Sequence, residues 1–328
     1  MYNPKLNLQE TELAIKALKD HFESTLAAKL NLTRVSAPLF VLPETGLNDN
    51  LNGTERPVAF DIKETGQTAE IVHSLAKWKR YALKRYGFMP GEGLYTDMNA
   101  IRRDEICDNL HSIYVDQYDW EMIITPEQRN EEFLKKTVRD IYEVIHNAQR
   151  YLEKLFPVLK TDALPQEITF ISSQELEDEY PSLSAKQRET AAAKKYGAIF
   201  VTGIGGKLRS GKVHDGRAPD YDDWSLNGDI ILYYAPLDTA FEISSMGIRV
   251  DAEAMRRQLL ASGFPERACL PYHSRVISGE LPLTIGGGIG QSRLCMFFLQ
   301  KMHIGEVQAS IWPEYIQRQC EENGIILL

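Results

Sequence analysis

The segment GGGIGQSR (286–293) constrains this chain more than any other. Glycines at 286, 288 and 290 alternate, so in a strand they share one face. A strand face without side chains lets a backbone or a flat ring lie close to it. The run that follows, QSRLCMFFLQKM, reads as a helix, so the strand ends where a helix begins. Two nucleotide-binding motifs are excluded. The third glycine of G-x-G-x-x-G would fall on Gln291, and no Lys-Ser or Lys-Thr follows as a P-loop requires. Arg293 heads the helix, with a guanidinium able to stack on a purine or meet a phosphate. Taken alone, the cluster reads equally as a bulged strand with a surface arginine.

A second segment, HSIYVDQYDWEMII (111–124), alternates along its length. Ile113, Val115, Gln117, Asp119 and Glu121 point one way; Tyr114, Asp116, Tyr118 and Trp120 point the other. A face carrying both Gln117 and Asp119 suits the wall of a pocket. On pattern alone, a strand with one solvated face is the plainer reading.

Around these, residues 8–30 predict an amphipathic helix capped by Asn7 or Thr11, followed by a short apolar run holding Pro38. Residues 58–62 and 70–75 predict a hairpin turning at Gly66. A basic helix spans 77–88, and the longest helical stripe spans 130–157. Strands are predicted at 168–173 and 198–205, with a helix between them capped at Ser184 and closed at Gly197. Residues 228–250 predict an antiparallel pair, and 251–263 a helix. HDGRAPDYDDWS (214–225) reads as an irregular polar loop. No repeat or linker divides the chain, so one α+β domain over 1–328, built on a mainly antiparallel sheet flanked by helices, is expected.

The charge balance narrows the partners. A net charge of −9 and a pI near 5.4 argue against a nucleic-acid-binding face. No apolar run is long enough for a bilayer, and MYNPKLNLQE lacks a signal-peptide core. Cys107, Cys269, Cys295 and Cys320 form no C-x-x-C pair, which predicts reduced thiols and a cytoplasmic location. The histidines make no H-x-x-x-H pair, and His73 and His111 read as satisfied polar residues. Ser244 and Ser245 lack a G-x-S-x-G frame. Asp229 and Glu242, on paired strands, suit Mg²⁺ held together with nucleotide phosphates, or are simply two solvated carboxylates. No glutaminase nucleophile is evident, because Tyr2 stands where an N-terminal cysteine would be needed. Free ammonia is therefore the expected nitrogen donor for any amide-forming chemistry.

Three pieces in this order resemble the motifs of class II aminoacyl-tRNA synthetases. The first helix and the Pro38 segment resemble the motif that builds their dimer interface. AIRRDE (100–105), with the strand after it, resembles the second, placing Arg102 at its arginine and either Asp104 or Glu105 at its acid. GGGIGQSR resembles the third. DTAFEISSMGIRV is similar to the aspartyl- and asparaginyl-tRNA synthetase strand bearing a metal-binding Glu and a substrate-binding Arg. A closer resemblance, from about residue 10 to the C-terminus, is to the ammonia-dependent aspartate–ammonia ligase family. It is carried by VHSLAKWKR, GEGLYT, VDQYDWE, SQEL, GIGGKL, RAPDYDDWS, LNGDI, FEISSMGIRVD and TIGGGIGQSR. The stretch between Trp224 and Leu226 is shorter than in that family, which shortens a lid loop.

The resemblance implies L-aspartate, ammonia and ATP as substrates, Mg²⁺, and a homodimer. Arg102 would bridge the reacting carboxylate and the α-phosphate. Arg293 would stack on adenine, with Gly288 and Gly290 beneath the nucleotide. Asp229 and Glu242 would hold the metal. Asp119 and Asp222 would receive the aspartate ammonium; Ser74, Lys79, Gln117, Arg217, Ser245 and Arg249 would hold its other groups. Asp49 would receive ammonium and take up a proton. An aspartyl- or asparaginyl-tRNA synthetase-like enzyme and a non-catalytic synthetase paralogue are the alternatives. The first would need an anticodon-binding domain for which the sequence shows no segment; the second commonly lacks the arginines and carboxylates present here.

Overall fold

Capping signals in the sequence start most of the helices. In α1 (Leu8–Leu30) the Asn7 side chain accepts from the Glu10 amide, and the Glu10 carboxylate accepts from the Asn7 amide. Such a capping box contributes about 1 kcal/mol. The computed structural model describes residues 2–51 and 55–328. Strands β1 (Leu32–Arg34), β2 (Phe40–Val41), β3 (Ala59–Asp61) and β4 (Thr68–Ile71) precede α2 (Ala76–Tyr86), which Gly87 closes in the left-handed region. Pro38 lies between β1 and β2 and belongs to neither, as suits a residue with no backbone donor.

Next come β5 (Gly93–Ile101), β6 (Tyr114–Ile123) and α3 (Glu131–Leu155), the last capped by Asn130. β7 (Thr169–Ser172) leads directly into α4 (Ser173–Glu179), a helix absent from the sequence reading. Its signal is nonetheless present: Ser172 and Glu175 form a capping box. α5 (Ala185–Tyr196) starts at Ser184 and ends at Gly197 as expected. β8 (Ala198–Thr202) is shorter than expected. β9 (Asp222–Tyr234) is longer and takes in the end of the segment read as a loop. β10 (Thr239–Arg249), α6 (Ala252–Ala261), α7 (Pro271–Ile277), β11 (Thr284–Gly290), α8 (Gln291–Phe298) and α9 (Glu314–Asn323) complete the chain.

One sheet takes eight strands in the order β1-β5-β6-β11-β10-β9-β8-β7. Its inner pairings are antiparallel, and the two edge pairings, β1 with β5 and β7 with β8, are parallel. A small sheet, β2-β4-β3, stands apart. One face of the large sheet packs on α1 and α3. Leu18, Phe22 and Leu26 from α1 and Val138, Ile141 and Ile145 from α3 share a core with Tyr118, Trp120, Ile230, Leu232, Ile285 and Ile289. The opposite face is covered only towards its ends. Leu75, Trp78 and Leu83 cover Leu94, Met98 and Ala100 at one end; Leu176, Ala192 and Ala193 cover Ile199, Val201 and Ile231 at the other. The middle of that face is polar.

The connection between β5 and β6 is tied to the C-terminal segment. The Asn109 side chain donates to the Met302 carbonyl (2.7 Å), and the Ile304 amide donates to the Asn109 carbonyl (2.8 Å). The Tyr315 hydroxyl, in α9, donates to the Cys107 carbonyl at 3.4 Å. All four cysteines are free, and only Cys269 is exposed. Among the described residues no helix is long and apolar enough to cross a membrane.

Candidate active site

Strand register assembles the polar middle. Asp119 of β6 pairs with Gly288 of β11, Gly288 with Ser245 of β10, and Ser245 with Asp229 of β9. Directly opposed residues share a face, so one row of site residues crosses four strands. Glu121, Gly286, Gly247 and Asn227 form the next row. A bulge between Glu242 and Ser244 changes the alternation of β10, so Glu242 and Ser245 border the same cavity although three residues apart. Between Asp222 and Asn227, β9 advances five residues while β10 advances two, so a bulge in the strand stands where a lid loop was expected to be short.

The glycines of β11 make room for their neighbours. A methyl on Gly288 would fall 2.5 Å from Gln117 Oε1 and 2.8 Å from Asp119 Oδ1. On Gly286 it would run into the Glu121 carboxylate and lie 2.7 Å from Arg249 Nη2. At Gly286 the space is therefore filled by the protein's own ion pair. Gly287 faces the other way, against Met246.

Above these rows lies a cavity of about 510 Å³. The basic helix α2 turns Lys79 inward to it. Lys79 Nζ donates to the Gly287 carbonyl (2.8 Å) and lies 3.2 Å from Asp119 Oδ1. Arg249 is held between Asp222 and Glu121, with Nη2 2.8 Å from Glu121 Oε2, and the Thr284 hydroxyl donates to Glu121 Oε1 (2.7 Å). Burial lowers the pKa of Lys79 against the pull of Asp119. Burial pushes Asp222 up against the charges of Arg249 and Arg217. Burial pushes Glu121 up as well, but Arg249 outweighs it and leaves that carboxyl below its ordinary range. Three carboxylates (Asp119, Glu121 and Asp222) thus face two cations, leaving negative charge to be matched.

At another part of the wall stand the two arginines. Arg102 follows β5, and its Nη1 lies 4.0 Å from Glu105 Oε2. Asp104 instead accepts from the Arg56 amide (2.9 Å) and from its guanidinium, so of the two acids Glu105 is the one beside Arg102. Arg102 Nε is buried, with no partner among the described residues. Arg293 Nη1 donates to the Glu242 carbonyl (2.9 Å), and a methyl on Gly290 would touch the stem of Arg293. Arg217 is ion-paired to Asp229. Burial pushes the Asp229 carboxyl up to about 7; Arg217 opposes this, while the charges of Glu242 and Glu189 add to it.

Asp49 occupies a further corner. The Ser74 hydroxyl donates to its Oδ2 (2.7 Å) and the Leu51 amide to its Oδ1 (2.8 Å). His73 Nδ1 lies 3.0 Å from the Asp49 carbonyl oxygen. The tail of the loop LNDNLNG, residues 52 and 53, lies outside the described residues.

The cavity brings together Asp49, Ser74, Lys79, Arg102, Gln117, Asp119, Arg217, Asp222, Glu242, Ser245, Arg249, Gly288, Gly290 and Arg293. Asp229 stands behind Arg217, bound to it. Glu121 was not singled out in the sequence, although it continues the face of Gln117 and Asp119 by one more alternation. Lys186, at the start of α5, also borders the cavity, 3.2 Å from Glu189 and 3.3 Å from Asp215. Nothing local in the sequence marks it. Among the described residues no cluster of three or more His, Cys, Asp or Glu side chains could hold a metal alone. Glu242 borders the cavity with oxygen donors that suit a Mg²⁺ completed by substrate phosphates and water, and Asp229 would join it only where Arg217 releases it.

The antiparallel sheet with its cavity between β6, β11, β10 and β9 is that of a class II aminoacyl-tRNA synthetase catalytic core. The asparaginyl-tRNA synthetase of Pyrococcus horikoshii, solved with asparaginyl-adenylate, superposes with a TM-score of 0.68 at 16% identity, over 92% of this chain and 70% of that one. The Entamoeba histolytica asparaginyl-tRNA synthetase gives 0.66 at 13% identity, over 92% and 67%. The family model for aspartate–ammonia ligases matches residues 9–324. A curated aspartate–ammonia ligase of Ruminiclostridium cellulolyticum is 62% identical, over 100% of this chain and 97% of its own length. One from Fusobacterium nucleatum is 61% identical, over 100% and 99%. The chain belongs to the aspartate–ammonia ligase family.

Proposed function

We propose that this chain joins L-aspartate to ammonia using ATP, through a β-aspartyl-adenylate, and releases AMP and pyrophosphate. The observation that carries the reading is a single cavity with two chemically different parts. One, around Arg102 and Arg293, offers guanidinium groups for phosphates and a purine. The other, around Arg249, Lys79 and three buried carboxylates, offers cations for an amino acid's carboxylates and surplus negative charge for its ammonium.

Ammonia does not displace oxide from a carboxylate, so the carboxyl must first acquire a leaving group. Arg102 bridges the β-carboxylate and the α-phosphate, where a planar fork suits two oxygens better than a point charge. Arg293 stacks on adenine beside Gly290, while the space over Gly288 goes to Gln117 and Asp119. Asp119 and Asp222 take the aspartate ammonium. Ser74, Lys79, Gln117, Arg217, Ser245 and Arg249 fix the remaining polar groups, which holds the two reacting oxygens in place. Asp229 and Glu242 would hold Mg²⁺, which neutralises phosphate charge when bound. Asp49, at the corner nearest Ser74, receives ammonium and takes up a proton.

The reading extends to one catalytic unit over 1–328, a cytoplasmic location, and a homodimer built around the Pro38 segment. The free thiols support the location. The exposed Leu39, and the exposed Phe40 and Phe60, which meet edge to face (5.2 Å between centroids), support the dimer. The test is AMP release from ATP, Mg²⁺ and aspartate, with ammonium or glutamine added in turn. Ammonium-dependent AMP and asparagine formation is expected. AMP release that glutamine drives as well as ammonium, or that ammonium leaves unchanged, would refute the reading.

A further inference from the structure

His73, expected to be a satisfied polar residue, is only half satisfied in the structure. Its backbone amide donates to Asn48 Oδ1 at 3.0 Å. Its Nδ1 lies 3.0 Å from the carbonyl oxygen of Asp49. A carbonyl oxygen only accepts, so Nδ1 carries the hydrogen and the neutral ring presents a lone pair at Nε2. That Nε2 is buried and has no partner among the described residues. The residue is 1% exposed and borders the cavity beside Asp49 and Ser74. An unpaired buried acceptor costs free energy, and at His73, which borders the cavity beside Asp49, a donor brought in with the substrates can relieve that cost.

The nitrogen substrate supplies such a donor. Ammonium has four N–H bonds and the amide nitrogen of the product has two, so two protons must leave. One leaves before ammonia can attack and one as the amide forms. A single carboxylate accounts for one of them. We propose that His73 Nε2 and the Asp49 carboxylate together form the ammonium-receiving site, and that His73 takes the first proton. The inference rests on the reading of this chain as an ammonia-using ligase.

The steps balance. Ammonium gives a proton to Nε2, leaving ammonia and an imidazolium whose Nδ1–H still donates to the Asp49 carbonyl. The ammonia lone pair forms the C–N bond at the acyl carbon. The C–O bond to AMP breaks, and its electron pair leaves with AMP. The second proton passes from nitrogen to the Asp49 carboxylate. Ser74 Oγ, donating to Asp49 Oδ2, orients that carboxylate.

His73→Asn tests this. Its amide N–H can keep the bond to the Asp49 carbonyl, while the acceptor at Nε2 is gone. Aspartate-dependent ATP–pyrophosphate exchange should stay within about twofold of wild type. Ammonium-dependent kcat/KM should fall about 100-fold, the lower end of what a positioned base contributes. Hydroxylamine is already neutral near neutral pH and needs to lose only one proton, so with it the loss should be about tenfold or less. Equal losses with ammonium and hydroxylamine, no loss with ammonium, or loss of the exchange reaction would each overturn the proposal. If His73→Asn does not fold, His73→Gln, whose amide can still accept at the Nε2 position but cannot take up a proton, should show the same ammonium-specific loss of kcat/KM. A wild-type protein inactive with ammonium would instead defeat the functional reading, a result the wild-type assay shows separately.

Discussion

Replacing Gly286 by alanine tests whether the glycine strand serves the protein's own charges. The added methyl meets the Glu121 carboxylate and comes within 2.7 Å of Arg249 Nη2. Neither side chain can easily retreat. Glu121 is pinned by Thr284 and Arg249 by Asp222, and their side chains are 0% and 2% exposed. Overpacking of this kind costs about 1–3 kcal/mol, rising to about 3–5 kcal/mol if the buried pair separates. An unfolding entropy of about 2 cal/mol/K per residue over 328 residues converts these into a Tm lowered by roughly 2–4 °C, or up to about 7 °C. Because Arg249 moves, the KM for aspartate should rise about tenfold, equivalent to roughly 1.4 kcal/mol, while that for ATP stays put. Gly206→Ala is the control, since nothing lies within 4 Å of the added methyl; it should stay within about 0.5 kcal/mol of wild type. Calorimetry and initial-rate kinetics on both variants decide the matter. If Gly286→Ala melts with the control and keeps its aspartate KM, the packing argument is wrong.

Three further outcomes follow from the geometry. Arg102→Ala should abolish aspartate-dependent pyrophosphate release while leaving the circular dichroism spectrum unchanged; normal release would remove Arg102 from its assigned role. Asp49→Asn should keep adenylate formation, measured by pyrophosphate exchange, and slow amidation; equal loss of both steps would refute proton uptake at Asp49. Asp220 is buried with its Oδ2 3.0 Å from Lys77 Nζ and 2.9 Å from His273 Nε2. Burial pushes its carboxyl up, but Lys77 and His273 outweigh this and hold it well below the ordinary range. Its charge therefore stabilises the fold at every pH above about 4, the unfolded value, and that stabilisation is lost as pH falls below it. Asp220→Asn should cost about 3–5 kcal/mol near neutral pH and flatten the acid side of the stability curve, read from denaturant midpoints against pH; an unchanged acid limb would contradict it.

Much of the site was legible because it is written in short periods. The two-residue alternation of β6 put Gln117, Asp119 and Glu121 on one face, and the glycines of β11 announced a close approach. What stayed hidden depends on distant parts of the chain. The parallel edge pairings of β1 and β7 join strands far apart in sequence. The bulges of β10 and β9 appear only against a partner strand, and Asp222, in a stretch with the composition of a loop, begins a strand. α7 is short and opens on Pro271, and α9 is short and follows Pro313, so neither shows a clear periodic stripe; Ser172 and Glu175 do signal α4. The inward turn of α2 was also hidden, because a basic helix looks solvated until Asp119 and Asp220 are seen to meet it.

The ties between the β5–β6 connection and residues 302–315 mean that the segment bearing Arg102 does not hold its shape unaided. Its stiffness is shared with α9 and the turns before it, about two hundred residues downstream. If Arg102 grips the nucleotide as proposed, a tag, cut or crosslink placed on that helix should loosen the grip before the aspartate end of the cavity changes.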